Sequence, residues 1–474
     1  MAMSAGVRAA CAGLIAAVAT AAGVAQQRAS EESLARVRLV VTTRAGGAAV
    51  TVRAATVASF IAAVNSGPAS TTVSRTGRAL QVSRNVVGQS AEAQFDVVLA
   101  DVTSAPIVWD VATDTAADTQ LSVYALNDPA RPTLVDRFTI TERSAQLTTR
   151  ASLVRAPALR MTHAGPPLVL AHYYPWYLAD TWRDPQLSDR PLRLYSTEVQ
   201  ADINSAAVMA RAAGIDAWVV SWQGFESGFN DRRMRVALDA AQAAGMRVCA
   251  YTETYVANST LDATRPIDPR TLVNWLADLV DLYGSHPAYL RVGGRPVIFT
   301  YASVLLPQPD WVEVMARLRS TGRNPLIIGD FSRSTLLEAF DGEYQYSNVF
   351  STGSVLTDFV RGESLRVRTF DLLRPGDRRR VWVSSVTPGF DDSHLLDRRT
   401  PRIIERRDAA VYDEQWSNAI ETGADWIVVT SWNEWWENTE IEPGERYGRL
   451  YLDRTRHWSD VFKARSQTRE PIRR

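Results

Sequence analysis

Cysteine and lysine are nearly missing from this chain, and neither sign of charge is in excess. Its 474 residues hold two cysteines, Cys11 and Cys249, too few for a disulfide-stapled scaffold. Cys11 lies in an alanine-rich leader. Cys249 sits in an apolar, strand-like run and reads as a small buried hydrophobe, not a nucleophile. Lys463 is the only lysine, and 52 basic residues balance 52 acidic ones. That balance leaves no electrostatic footprint for nucleic acid or an anionic membrane. No strand is followed by G-x-G-x-x-G, so no dinucleotide-binding turn is predicted. No D-x-D occurs to hold a metal-bound nucleotide sugar, and His172 has no second histidine at ligand spacing. Neither a metal nor an organic cofactor is expected.

Long apolar runs are also missing, except at the start. Arg8 precedes "AACAGLIAAVATAAGVA" and Gln26-Gln27, a pattern that resembles a secretory signal peptide over residues 1–25, cut near Ala22 or Ala25. The run is short and alanine-rich for a membrane anchor, and no later stretch approaches the roughly 20 apolar residues of a membrane helix. A secreted, periplasmic or extracellular location is the expectation, with no stable membrane span after signal removal.

What is present falls into two halves. Residues 32–155 contain short Val/Thr-rich runs such as "RVRLVVTT", "AQFDVVLA" and "PIVWDVA". Many alternate apolar and polar residues, and together they suggest a small all-β, sandwich-like domain. Within it "TVASFIAAVNSG" reads as a helical insertion, and Trp109 is a lone strand aromatic that makes no sugar platform. From 160 to 466 apolar strands alternate with amphipathic stretches, the mark of parallel βα units. Four such stretches stop at glycine just before a strand, in "ARAAGIDAWVV", "AQAAGMRVCAY", "RSTGRNPLIIG" and "IETGADWIVV". Asp268-Pro269 reads as a helix start, and Asp310 with Glu313 as a capping box. Eight strands are predicted, at 168–174, 215–222, 246–252, 296–301, 325–330, 346–350, 380–386 and 425–431. They fit a (β/α)8 TIM barrel better than an open doubly wound sheet.

In a barrel the chemistry gathers at the carboxyl ends of the strands. Those ends carry "HYYPWY" (172–177), "SWQG" (221–224), "YTETY" (251–255), "GDF" (329–331), "TPGFDD" (387–392) and "SWNEWWE" (431–437). Aromatic faces stack on sugar rings, and carboxylates accept hydrogen bonds from hydroxyls. Tyr173, Tyr174, Trp176, Tyr177, Trp222, Glu253, Tyr255, Tyr301, Asp330, Asp391, Trp432, Asn433 and Trp435 are therefore candidate substrate contacts. Glu434 and Glu437, three residues apart, would face one way on a first helical turn, with Cβ atoms about 5–6 Å apart. Two close carboxylates in an aromatic pocket share a proton, giving the acid and base of glycosidic cleavage. They are the candidate catalytic residues.

"HYYPWY", "VVSWQG", "TPGFDD" and above all "SWNEWWENTEIEPGERYG" resemble the glycoside hydrolase family 99 endo-α-mannosidases and their WbsX-like relatives, over residues 166 to about 455. The resemblance implies a retaining endo-α-glycosidase acting on a polysaccharide or surface glycan without a cofactor. In it Glu434 would take the proton of the sugar's own 2-hydroxyl, which attacks the anomeric carbon to give a 1,2-anhydro sugar. Glu437 would protonate the leaving oxygen and then activate water. The chain departs from the family at Asn438, where glycine is usual, and at Trp436, where histidine or a small residue is common. The alternatives are a WbsX-like glycosyltransferase of surface polysaccharide metabolism and a non-catalytic glycan-binding protein.

Overall fold

A computed structural model describes residues 35–467, apart from 44–48, 56–58, 66–70, 77–78, 85–90, 101–104, 115–118, 127–130, 155–164, 226–229, 331–333, 349–352, 374–378 and 397–399. The expected signal peptide and Cys11 lie outside these residues. The chain divides into two compact units, Met1–Met161 with Leu372–Pro375, and Thr162–Asp371 with Gly376–Arg474.

Among the described residues the first unit has ten strands: β1 (Ala35–Thr43), β2 (Ala49–Ala54), β3 (Ser59–Asn65), β4 (Thr71–Thr76), β5 (Ala79–Arg84), β6 (Ala91–Ala100), β7 (Ile107–Thr113), β8 (Thr119–Ala125), β9 (Thr133–Ile140) and β10 (Ser144–Thr149). They form two antiparallel five-stranded sheets, ordered β3-β6-β1-β8-β9 and β10-β7-β2-β5-β4. Alternation decides which side is buried: Val37, Leu39 and Val41 of β1 join Val50 and Val52 of β2 in one core with Trp109. Buried Trp109 donates its indole N–H to Thr149 Oγ1 at 3.0 Å, so it is a packing residue. The expected helix at "TVASFIAAVNSG" is instead β3, which pairs with β6 through an irregularity between Ile61 and Val64. Seven residues with Phe and Ile at their head satisfy their backbone more completely along a sheet edge than in an isolated two-turn helix.

The second unit is a closed parallel barrel. Its strands are β11 (Leu168–Tyr173), β12 (Ala217–Trp222), β13 (Arg247–Glu253), β14 (Arg295–Tyr301), β15 (Leu326–Asp330), β16 (Gly342–Tyr344), β17 (Val381–Val386) and β18 (Trp426–Val429). Each pairs in parallel with the next, and β18 pairs with β11 to close the ring. The helices between them are α1 (Gln200–Ala212), α2 (Asn230–Ala244), α3 (Pro269–Leu282), α4 (Gln308–Ser320), α5 (Gly353–Leu373) and α6 (Ala410–Glu421), and α7 (Leu450–Gln467) follows β18. Between β15 and β16 a short 3-10 segment, Ser334–Glu338, stands where a helix would complete the repeat.

The glycines that end α1, α2, α4 and α6 all take positive φ, +83° at Gly214, +68° at Gly245, +81° at Gly322 and +76° at Gly423, as the sequence implied. Asp268 caps α3 by accepting from Arg270 N at 3.0 Å. The capping box proposed at Asp310 does not form. Helix α4 begins earlier, at Gln308 after Pro307, and Glu313 pairs instead with Arg317 one turn on. The sixth strand also moves, from the expected 346–350 to Gly342–Tyr344. A Cβ at Gly342 would lie 2.5 Å from the Val381 carbonyl oxygen and 2.6 Å from Ile328 Cδ1. Glycine is in this strand because its neighbours leave no room for a side chain.

Candidate active site

After β18 the chain leaves the barrel rim and returns in a tight loop. Ser431 N donates to the Thr439 carbonyl at 2.8 Å, and Thr439 N donates to the Glu434 carbonyl at 3.2 Å. The Ser431 and Thr439 hydroxyls meet at 2.9 Å, and Ser431 Oγ accepts from Glu434 N at 2.7 Å. Glu434 and Glu437 are thus presented by a pinned turn, not by the helical first turn expected from their spacing. Asn438 closes that turn with φ +50°. This left-handed conformation suits glycine best and asparagine next, which explains how Asn438 can close the turn without glycine. Its side chain adds grip, donating to the Asp391 carbonyl at 2.7 Å and accepting from Ser188.

The two carboxylates differ in setting. Glu434 is buried; Tyr177 Oη and Trp436 N each reach its Oε1 at 3.3 Å. Burial, then the charge of Glu437, pushes its carboxyl well above the usual range. Glu437 is half-buried and accepts from Tyr346 Oη at 3.1 Å. Burial disfavours the charged form of the deeper carboxylate, so Glu434 is the member of the pair whose ionisation the setting opposes.

A cage of phenols surrounds the pair. Tyr346 Oη accepts from Tyr174 Oη at 2.7 Å while donating to Glu437. The charges of Glu434, Glu253 and Glu437 all raise the Tyr174 phenol, after burial. Tyr301 packs against Tyr251, Tyr255 and Tyr346 with ring centroids 5.8, 5.8 and 5.4 Å away. Glu253, at the end of β13, accepts from Ser221 Oγ at 2.8 Å. Burial pushes it to about 7, with Glu437 adding to the rise. Trp176 lies 4.6 Å from Tyr174 and 6.5 Å from Trp436, and Trp436 stacks on Tyr177 at 5.0 Å. Of the expected contacts, Tyr174, Trp176, Tyr177, Glu253, Tyr255, Tyr301 and Asn433 come together here.

Others do not face the pair. Tyr173 is buried and stacks on Trp218 at 4.6 Å, and Trp432 packs against the same Trp218 at 5.9 Å. Strand alternation turns Tyr173 away from the barrel interior that His172 enters. Trp222 is fully buried between Phe225 and Trp275, and Trp435 is buried edge-on to Trp182. All four hold packing positions in place of the sugar-facing ones expected. Asp330 acts on backbone: burial raises it to about 6, and it accepts from Tyr346 N at 3.1 Å and Ala302 N at 3.2 Å. Asp391 accepts from Ser393 N and Oγ. His172 is buried among Tyr251, Tyr344 and Tyr346, and desolvation lowers it to about 3, so it stays neutral. Among the described residues no group of three or more His, Cys, Asp or Glu is arranged to hold a metal ion.

Tyr346 and Trp436 join this cluster without having been named from the sequence. Tyr346 fell inside the misplaced sixth strand, and Trp436, directly before Glu437 in sequence, was not named as a contact.

A family model for glycosyl hydrolase family 99 matches residues 190–468, more than half of the chain. The chain belongs to glycosyl hydrolase family 99. Its relatives include the glycoprotein endo-alpha-1,2-mannosidase-like protein of Danio rerio, 25% identical over 327 residues, covering 63% of this chain and 66% of the relative. The glycoprotein endo-alpha-1,2-mannosidase of Mus musculus is 24% identical over 310 residues, 58% of this chain and 63% of the relative. The chain thus spans just under two thirds of the length of these curated relatives. Among solved structures, the family 99 endo-alpha-mannosidase of Bacteroides thetaiotaomicron in complex with bis-tris propane matches with a TM-score of 0.53 and 26% identity, over 63% of this chain and 98% of that one.

Proposed function

We propose that this family 99 protein is an exported, retaining endo-α-mannosidase-like glycosidase that cleaves a polysaccharide or surface glycan through a 1,2-anhydro sugar. The observation that carries the reading is the pinned Glu434–Glu437 turn inside a cage of tyrosine hydroxyls and half-exposed tryptophan. Glu434 as carboxylate takes the proton of the sugar 2-hydroxyl. That oxygen attacks the anomeric carbon while Glu437 gives its proton to the departing glycosidic oxygen. Glu437 then takes a proton from water, whose oxygen opens the anhydro ring, and Glu434 returns its proton to the 2-oxygen. Two inversions give net retention. A bell-shaped dependence of kcat/KM on pH follows, since the pair must carry one proton, neither none nor two. The two half-exposed indoles offer faces on which sugar rings can stack.

The test is product release from a panel of α-mannans and α-glucans by wild type, Glu434→Gln and Glu437→Gln, with the first-formed anomer read by NMR. Oligosaccharides of retained configuration from wild type alone support the reading; inverted products, or activity surviving in both variants, would sink it. Export is tested by expressing the full chain in a bacterial host and sequencing the amino terminus of material outside the inner membrane. A start near residue 23 or 26 is expected, and retention of an uncut chain inside the cell would overturn that part.

A further inference from the structure

We propose that Tyr195 and Glu442, neither of which can touch the pair directly through the bonds described above, are positioning residues that hold the reactive carboxylates in register; the inference rests on the glycosidase reading. Asn433, fully buried beside Glu434, grips Tyr174, the residue just after β11, from both sides. Its Oδ1 accepts from Tyr174 N at 2.8 Å and its Nδ2 donates to the Tyr174 carbonyl at 3.0 Å. The second N–H of that amide donates to Tyr195 Oη at 3.1 Å. Tyr195, having accepted, sends its own proton to Glu442 Oε2 at 2.9 Å.

The polarity of this chain is fixed from its Tyr174 end. The Tyr174 N–H can only donate, so the Asn433 oxygen must face it and the amide nitrogen must face Tyr195. Tyr195 then needs an acceptor, and buried Glu442 supplies it. Removing that acceptor leaves a buried hydroxyl proton opposed to the Asn433 N–H, and the amide is the soft point that gives. Tyr174 carries the consequence to the chemistry. Its hydroxyl donates to Tyr346 at 2.7 Å, and Tyr346 donates to Glu437 at 3.1 Å. One side-chain amide thus couples the backbone before Glu434 to the hydroxyl pair that orients Glu437.

The experiment compares Tyr195→Phe, Glu442→Leu and Glu442→Gln with wild type by steady-state kinetics and by hydrogen exchange of the 172–177 segment in the folded proteins. Tyr195→Phe and Glu442→Leu should lose about 10- to 100-fold in kcat with KM within about twofold, because misplacement of a reacting group by a fraction of an ångström acts on the transition state. Glu442→Gln keeps an acceptor oxygen for Tyr195 and should recover most of the loss. Exchange at Tyr174 N should quicken in the first two variants and not in the third. Wild-type kcat and unchanged exchange in Tyr195→Phe, which removes one oxygen and keeps the ring, would overturn the proposal. An equal fall in all three variants, tracking thermal stability, would also overturn it. A wild type inactive on every glycan would instead remove the glycosidase reading, and the exchange measurement would still decide whether the clamp exists.

Discussion

Two sets of acids stand at the two ends of the barrel, and each set is held in its own way. At the amino end one device recurs three times. Asp216, Asp341 and Asp425 each stand one residue before a strand. Each accepts the backbone N–H of the second residue of the neighbouring strand, from Val169 at 2.9 Å, Ile327 at 3.1 Å and Trp382 at 2.8 Å. Each also meets a cation, Lys463 at 2.8 Å, Arg295 at 2.7 Å and Arg368 at 2.7 Å. At the carboxyl end Glu253, Asp330 and Glu434 meet a serine hydroxyl, two peptide N–H groups and a phenol with a peptide N–H, respectively. Burial raises all three. An acid paired with a cation is a rivet, whereas an acid left among neutral donors is available to exchange protons near neutrality.

That contrast can be broken most sharply at the candidate catalytic pair. Glu434→Gln or Glu437→Gln should lower kcat by at least about 10³-fold, roughly 4 kcal/mol of barrier, while circular dichroism and melting stay near wild type. Asp425→Ala should do the reverse. It strands the buried Arg368 guanidinium, which costs on the order of 3–5 kcal/mol of stability, and leaves kcat of the folded fraction unchanged; a large kcat loss at constant stability would contradict the division between the ends. Tyr346→Phe comes next, with an expected loss of about 10- to 100-fold in kcat from the missing hydrogen bond to Glu437. Glu253→Gln tests the electrostatics directly. Its carboxyl is raised from 4.5 to about 7, so the folded state holds more protons than the unfolded chain across that window. The stability it contributes is present below about 4.5 and lost as pH rises through about 7. Melting temperatures should therefore show the Gln variant gaining on wild type as pH goes from about 5 to 8, and a constant difference would refute the shift. The smallest effect belongs to Asn438: glycine there keeps the left-handed backbone but loses the bonds to Asp391 and Ser188, for about 1 kcal/mol, and alanine should cost about 1 kcal/mol more for its left-handed backbone, as read by chemical denaturation.

The barrel was legible because its signals are local. Glycines that stop helices mark the αβ turns, and apolar β-branched runs mark the strands. The sixth strand was missed because Gly342 is dictated by Val381 and Ile328, residues that only the fold brings near. The site was legible in the same measure. Aromatics and acids at strand ends pointed to the rim where the structure gathers them, and the Glu434–Glu437 spacing marked the two carboxylates that its turn presents together. What the spacing could not reveal is which aromatics turn outward. Tyr173, Trp222, Trp432 and Trp435 carry the same side-chain types as Tyr174, Trp176 and Trp436, and a one-residue alternation or a loop turn decides between packing and the pocket. In the first unit "SFIAAV" carried no periodicity that separates a short helix from an edge strand, and β6 made the choice.

The lone lysine gives the molecule a built-in orientation. Lys463 hangs from α7 at the amino end of the barrel, bound to Asp216 and to the Gly214 carbonyl at 2.7 Å. Coupling chemistry aimed at side-chain amines has a single address in these 474 residues, and it lies across the barrel from the carboxylate rim. A support or dye attached there would leave the mouth of the barrel facing solution, so tethered molecules would all present the same face to a glycan.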